Sequence, residues 1–337
     1  MIFYNRRYKA FTDCQAGFSL SSRNQNSKYC SILETDNGKN LFYHKRILRL
    51  ENPSKHGDKL GEEFRAGLIH LAPVLTSVAV GVLCAYLLVA SSIELYSITP
   101  FSEDPTGSFG NAVYFVVLVG FGASVLFLLF KRRSHRLITV IIGFSLATAT
   151  FFLSFIYLLA ALMLIGSPHF EVLISIPTTL TIFTCYTIFK TSSKVGDLLV
   201  VLLGGGLGAF LGACVPTLSA VLILCFLAVY DTFAVYRGPV GKIAREGLEK
   251  FRGLSFSFKD IRMGLGDLTF YSMLAGHMLI YFGFLPGLAS MAGILLGCFL
   301  AFKMLEKGGV FPGLPFPIAF GLIFGFLVVW LLGFLAV

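Results

Sequence analysis

Two aspartates of this 337-residue chain lie in sequence that is otherwise apolar. Asp231 is inside the apolar run from Thr217 to Tyr236, and Asp267 stands where a charged loop meets the next apolar run. A carboxylate at membrane depth costs several kcal/mol and is usually retained for a functional reason. The two positions therefore predict chemistry rather than architecture.

Two carboxylates that lie close together in a low-dielectric pocket tend to share a proton and titrate as a pair. The ionised member can take a proton from water while the protonated member polarises a carbonyl group, which suits peptide hydrolysis. Gly264 and Gly266, just before Asp267, remove side-chain bulk and permit unusual backbone angles where a substrate chain and water approach. The residue types alone also fit a structural pair of acids or an ion path.

The composition places these acids in a membrane protein. Of all residues 56% are hydrophobic and 13% are charged, and the apolar positions fall in runs long enough to cross a bilayer as helices. We therefore expect an all-α polytopic membrane protein with nine transmembrane helices, the seventh and eighth joined by a tight outer turn at residues 284–287. The predicted spans cover residues 67–93, 112–130, 137–165, 172–189, 198–215, 217–236, 267–285, 287–302 and 315–337.

Charge placement gives the expected orientation. With a cytoplasmic N-terminus, every Lys and Arg after residue 60 falls on the cytoplasmic side, and the outer loops hold Asp and Glu instead. The C-terminus is then lumenal or extracellular. Asp231 lies five residues before the cytoplasmic end of span six, which is roughly 7–8 Å deep at about 1.5 Å per residue. Asp267 opens span seven at the same face, so we expect the two carboxylates to meet.

The chain divides into four segments. Residues 1–65 are a polar, basic cytoplasmic tail that we expect to be largely flexible, and the first twenty residues lack the apolar segment of a signal peptide. Spans one to six occupy residues 66–236, a cytoplasmic loop covers 237–263, and spans seven to nine occupy 264–337. The net charge of +9 is concentrated in the tail and the cytoplasmic loops, which indicates membrane topology and argues against nucleic acid as a partner.

Three short motifs resemble the signature of one protein family. They are Val229-Tyr230-Asp231, Gly264-Leu265-Gly266-Asp267 and Pro312-Gly313-Leu314-Pro315, in this order on spans six, seven and nine. Each motif is weak alone, but together they resemble the presenilin family, intramembrane aspartic proteases of the GxGD type and the catalytic subunits of γ-secretase. The likeness extends over roughly residues 66–337.

The resemblance implies roles for individual residues. The catalytic aspartates would be Asp231 and Asp267, with no cofactor and no metal. Two prolines around Gly313-Leu314 prevent a regular helix and leave backbone groups free, with which an extended substrate strand could pair inside a protein-enclosed cavity. The residues implied to bind the substrate are Gly264, Leu265, Gly266, Pro312, Gly313 and Leu314.

The resemblance also implies partners and a location. The substrates would be the transmembrane helices of single-span proteins, and the partners would be nicastrin and the two smaller membrane subunits of γ-secretase, all within the lipid bilayer. The implied location is the endoplasmic reticulum, the Golgi and the plasma membrane, with a part in Notch signalling. Two alternatives stay open: a signal-peptide-peptidase-like protease, which would have the inverted orientation, and a non-proteolytic cation leak channel or scaffold.

Two features depart from the family pattern. Gly313 stands where the family usually has Ala, which adds flexibility to the motif. The loop from Arg237 to Met263 is short beside that of animal presenilins, in which family members are typically cut into two fragments. Leu254, Phe256 and Phe258 offer an apolar site for such self-cleavage, and the sequence favours neither outcome.

The remaining polar and glycine positions have several interpretations. Tyr230 and Tyr271 flank the aspartates, where a hydrogen-bonding role and ordinary packing are equally compatible with the sequence. His277 has no second metal ligand near it, so we expect a packing residue and not the centre of a zinc protease. Glycines that recur every four residues in span five predict a helix-packing ridge: Gly204, Gly208 and Gly212.

Overall fold

The structure is a computed structural model that describes residues 2–5, 67–93, 95–132, 134–166, 170–190, 194–236, 255–258, 261–308 and 310–335. The expected flexibility of the tail beyond residue 5 concerns residues outside these ranges. The same is true of loop residues 237–254, which include Leu254 of the expected cleavage site.

Nine helices of 18 or more residues form most of the described chain, in the places of the nine predicted spans. They are α1 (Ala72–Ala90), α2 (Pro105–Lys131), α3 (His135–Ile165), α4 (Phe170–Lys190), α5 (Lys194–Cys214), α6 (Thr217–Tyr236), α7 (Leu265–Phe282), α8 (Phe284–Gly308) and α9 (Pro315–Leu335). Eight of the nine are long and apolar enough to cross a membrane, and α7 is the exception. The prediction of an all-α polytopic membrane protein is confirmed.

α7 lies at the centre of the helix bundle. All residues from Asp267 to Leu279 are buried, and the helix packs against α1, α5 and α8. Because its sides face protein rather than lipid, α7 can carry Asp, Thr, Ser and His. The same polar residues explain why α7 falls short of the apolarity of the other eight spans. Because α7 is not apolar enough to be placed by lipid, its position depends on the helices around it.

The predicted glycine ridge of α5 forms the contact with α7. A Cβ atom at Gly208 would overlap the Thr269 carbonyl oxygen and lie 2.6 Å from the Cβ of Ser272, and one at Gly212 would lie 2.7 Å from the Met273 carbonyl oxygen. Only glycine leaves room for this approach of the two backbones. The ridge therefore fixes the position of α7, and its prediction is confirmed.

His277 joins three helices at the other end of α7. Its Nδ1 donates to the Gly212 carbonyl at the end of α5 (2.8 Å), and its Nε2 is 3.2 Å from the Thr217 hydroxyl at the start of α6. In the neutral tautomer that donates from Nδ1, Nε2 accepts the proton of the hydroxyl. His277 is thus a packing residue, as the sequence indicated.

Helix α2 begins earlier than the sequence predicted, at Pro105 rather than at residue 112. The side chain of Asp104 caps it by accepting hydrogen bonds from the hydroxyls of Ser102 and Thr106 and from the Gly107 N–H (3.3 Å). These bonds, with that of Ser102 foremost, lower the pKa of the exposed Asp104 carboxyl to about 2. Because of this cap, residues 105–111 are helical, although they were expected to belong to an outer loop.

The turn between α7 and α8 is shorter than expected. Gly283, at φ 98°, is the single residue between the two helices, and α8 already begins at Phe284. A positive φ is readily accessible to glycine, so the reversal needs no further loop residues. The prediction of a turn at residues 284–287 is therefore wrong in position, although the tight hairpin itself is present.

A small antiparallel sheet lies before α7 and α9, which the all-α prediction did not contain. Its strands are β1 (Ile2–Asn5), β2 (Ser255–Phe258), β3 (Ile261–Gly264) and β4 (Val310–Pro312), in the order β2-β3-β1-β4. β3 continues into α7 without a break, and only Gly313 and Leu314 separate β4 from α9. Phe256 and Phe258 of the expected cleavage site belong to β2, on one edge of the sheet.

Candidate active site

Asp231 is held by a backbone group of the proline motif. The carboxylate is 2% exposed on α6, and its Oδ2 accepts a hydrogen bond from the Leu314 N–H at 3.0 Å. Leu314 precedes α9, so its N–H has no partner within that helix and is available to a side chain. This contact joins residues that are 83 positions apart in the chain.

Asp267 faces the neighbouring residue of the same motif. It lies in the first turn of α7 and is completely buried. A Cβ atom at Gly313 would lie 3.0 Å from its Oδ1 and 3.1 Å from its Oδ2. If Gly313 were Ala, the Asp267 carboxylate would therefore have to move by a few tenths of an ångström.

Consecutive residues of one segment thus contact the two acids. Gly313 lies against Asp267, and Leu314 donates to Asp231. Helices α6 and α7 pack together, and the two carboxylates are near enough to interact electrostatically. The expectation that the two acids lie on neighbouring helices is met by this geometry, and their similar depth in the membrane stays a prediction.

Tyr271 fixes the segment from the other side. It is fully buried, one helical turn after Asp267, and its hydroxyl donates to the Gly313 carbonyl at 2.7 Å. Of the two roles that the sequence left open, the structure shows a hydrogen bond, directed to the motif backbone rather than to a carboxylate. Tyr271 therefore positions Gly313 relative to Asp267.

Tyr230 has different surroundings. Its hydroxyl end lies beside Gly120 of α2, where a Cβ atom would be 3.4 Å from the Tyr230 oxygen. The side chain is half-buried, and it fills space between α6 and α2. The hydrogen-bonding role considered for Tyr230 beside Asp231 stays a prediction.

The residues before Asp267 act through size and position. Gly264 ends β3 at φ −79° and ψ 145°, an extended conformation open to any residue, so unusual backbone angles are not the reason for glycine at position 264. A Cβ atom there would lie 3.6 Å from Asp267 Oδ2. Leu265 points towards α5, where a Cβ atom at Gly204 would lie 3.3 Å from the Leu265 Cδ1 atom. Gly266 lies between Leu265 and Asp267 in the first turn of α7.

Pro312 ends β4, and the strand is anchored by aromatic packing. Phe311 is buried and its ring stacks on that of Phe316 in the first turn of α9, with centroids 5.7 Å apart. Offset stacking of this kind contributes about 1 kcal/mol beyond the buried area. β4 is thereby held in the position from which Gly313 and Leu314 reach the aspartates.

Sequence reasoning missed strand β1. It pairs with β3 through Tyr4 opposite Arg262, and with β4 through Ile2 opposite Pro312. The run Ile2-Phe3-Tyr4 is rich in β-branched and aromatic residues and is a weak strand signal. The polar and basic residues that follow this run weaken the signal further.

The chemistry open to this arrangement is proton transfer between two buried acids beside a non-helical backbone segment. In the part of the chain that the structure describes, no three His, Cys, Asp or Glu side chains cluster closely enough to hold a metal ion. The geometry provides two carboxylates at one place, with the ends of strands β3 and β4 next to them.

The fold and the site agree with one class of protein. A model of the family "Signal-peptide peptidase, presenilin aspartyl protease" matches residues 75–241, which include Asp231. Over just under half of its length, the chain is similar to this family of intramembrane aspartyl proteases. Asp267 and the proline motif lie beyond the matched residues.

Particular relatives support the assignment. Over 75 residues the chain is 36% identical to presenilin sel-12 of Caenorhabditis elegans, a stretch that covers 22% of this chain and 17% of that protein. Two solved structures of a presenilin family intramembrane aspartate protease, in C222 and P2 space groups, match with a TM-score of 0.58. They are 21% and 25% identical, and the matches cover 79% and 80% of this chain and 99% and 100% of theirs.

Proposed function

We propose that this chain is an endopeptidase that cleaves the transmembrane helices of single-span membrane proteins, with Asp231 and Asp267 as its catalytic residues. The observation that carries the proposal is the contact of the two carboxylates with Gly313 and Leu314. A structural acid pair or an ion path would not require a non-helical segment between them.

The proposed reaction is a hydrolysis without a covalent intermediate. One aspartate, ionised, removes a proton from a water molecule whose oxygen attacks the scissile carbonyl carbon, while the other, protonated, donates a hydrogen bond to the carbonyl oxygen. The tetrahedral intermediate collapses with cleavage of the C–N bond, and the leaving nitrogen takes up a proton from the pair. The products are a new carboxylate and a new amine.

The substrate backbone must be accessible for this reaction. In a transmembrane helix each peptide group is internally hydrogen-bonded, so the helix has to unwind before the water can attack. An extended segment regains backbone hydrogen bonds if it adds to the edges of β3 and β4. Gly264, Leu265, Gly266, Pro312, Gly313 and Leu314 then bind the substrate on either side of the acids.

The setting of the activity follows from the family. We infer a cytoplasmic N-terminus, assembly with nicastrin and the two smaller membrane subunits of γ-secretase, and residence in the endoplasmic reticulum, Golgi and plasma membrane. The family model also covers signal peptide peptidases, so a protease of that type, with inverted orientation, is the second candidate. Self-cleavage in the loop at residues 237–263 is a further open part of the proposal.

The first prediction concerns the acids themselves. Asp231→Asn and Asp267→Asn should each abolish cleavage of a membrane-stub reporter, because one carboxylate cannot both activate water and polarise the carbonyl. Product is measured by mass spectrometry of membranes that contain equal amounts of each variant. Asp104→Asn, which alters an exposed cap outside the spans, is the matched control and should cleave normally; cleavage by either site variant at the unmodified rate would refute the mechanism.

A further inference from the structure

Strand β1 occupies the place that leads to the two aspartates. Its register sets Ile2 opposite Pro312, Phe3 opposite Phe311 and Tyr4 opposite Val310 on β4. On its other edge, Tyr4 and Asn5 face Arg262 and Ile261 on β3. We call the facing backbone edges of Ile261–Gly264 and Val310–Pro312 the strand site.

The direction of β1 points its N-terminal end at the acids. Pro312, the partner of Ile2, is followed at once by Gly313 and Leu314, which contact Asp267 and Asp231. β3 likewise ends at Gly264, three residues before Asp267. A chain that continues the path of β1 beyond Ile2 therefore approaches Gly313 and Leu314, the residues that contact the two carboxylates.

Only one chain can fill the strand site at a time. Backbone N–H and C=O groups next to buried acids need partners, and a strand between β3 and β4 supplies them on both edges. β1 takes these partners from the same edges that an unwound substrate segment needs. Occupancy by β1 and by substrate is thus mutually exclusive.

We propose that Ile2–Asn5 is an intramolecular pseudosubstrate that blocks the strand site until an incoming extended peptide displaces it. This regulation rests on the proposed proteolytic function of the same site. The blocking segment belongs to the same chain as the site, so it competes with an incoming peptide as an intramolecular ligand.

The small size of β1 makes displacement feasible. It has four residues and pairs at only two register positions with β3 and three with β4. After Asn5 the sequence turns basic with Arg6 and Arg7, so the apolar strand signal is not continued. A substrate segment that pairs over more residues can therefore replace it.

The test compares the full chain with a variant that lacks residues 2–5, both in lipid nanodiscs. Removal of a competing segment should lower the apparent KM for the membrane-stub reporter roughly tenfold and leave kcat unchanged. Tyr4→Pro, which deletes one backbone donor of β1, should act in the same direction. Deletion of residues 21–24 shortens the tail equally but keeps β1, and it should leave the KM as it is.

A second arm does not depend on cleavage. Hydrogen–deuterium exchange of the β3 amides, Ile261–Gly264, should become faster in the deletion variant, and an added synthetic peptide that contains Ile2–Asn5 should slow it again. In a variant with Tyr4→Cys and Val310→Cys, which are register partners, oxidation should trap β1 and stop cleavage, and reduction should restore it. Tyr4→Cys alone should show no redox response.

The outcomes separate the two proposals. Unchanged β3 exchange after deletion of residues 2–5 overturns the occupancy of the strand site by β1, whatever the protease does. Faster exchange with an unchanged KM overturns the inhibitory role. If the exchange responds as expected but no variant cleaves the reporter, the proposed proteolytic function has failed and the occupancy stands.

Discussion

At the scale of residues, the position of the carboxylates depends on two hydrogen bonds to one short backbone segment. The Leu314 N–H donates to Asp231, and the Gly313 carbonyl accepts from Tyr271. The segment is outside regular helix, so these side-chain partners replace the backbone partners that a helix would provide. The geometry of the proposed active site is therefore sensitive to a hydroxyl group that touches neither acid.

Tyr271→Phe removes that hydroxyl and leaves the buried Gly313 carbonyl without its donor. A buried acceptor that loses its partner costs about 1–3 kcal/mol. We expect kcat to fall roughly tenfold, which corresponds to about 1.4 kcal/mol, with a smaller change in KM. Tyr157→Phe is the matched control, because Tyr157 donates similarly to the Gly206 carbonyl within the bundle; an equal loss of kcat in both variants would contradict a positioning role of Tyr271.

At the scale of elements, the position of α7 in the bundle is set by its close contact with the glycines of α5. Most of its length is buried, including Asp267 and His277. Such a helix is placed by its contacts and not by its own apolarity, because it has no broad lipid-facing surface. Displacement of α7 would carry Asp267 away from Gly313.

Gly208→Ala tests this contact. In an isolated helix the change is favourable by about 1 kcal/mol, but here the new methyl group meets the Thr269 carbonyl and Ser272 Cβ, and overpacking costs about 1–3 kcal/mol. We expect lower resistance to thermal unfolding in detergent and a loss of reporter cleavage. Gly122→Ala is the control, because no atom lies within 4 Å of the added Cβ, and it should be neutral or slightly stabilising. Equal thermal stability and equal cleavage in the two variants would contradict the conclusion that the glycine ridge sets the position of α7.

At the scale of the whole molecule, the orientation of nine spans decides between the two protease types. An odd number of spans puts the termini on opposite sides, and the basic loops favour a cytoplasmic N-terminus. A glycosylation acceptor fused after Val337 should therefore be modified in the endoplasmic reticulum. The same acceptor inserted between residues 240 and 241 should stay unmodified, and the opposite pattern would assign the inverted orientation of signal peptide peptidases.

The sequence alone determined the number of helices, the two acids and the three motifs. Apolar run lengths match the bilayer thickness, and a buried charge is conspicuous in such a run, so these features are local. The ends of α2 and α8 were less predictable, because they depend on the Asp104 cap and on the single turn residue Gly283.

Only the tertiary structure decided which groups meet. The bond between Asp231 and Leu314 spans 83 positions, the burial of α7 depends on the helices around it, and β1 pairs with strands that begin more than 250 residues later. Pairings over such separations follow from packing and from the need of buried backbone groups for partners, which no local pattern encodes. The acids and the proline motif could therefore be identified from sequence, but the contacts between them and the strand β1 could not.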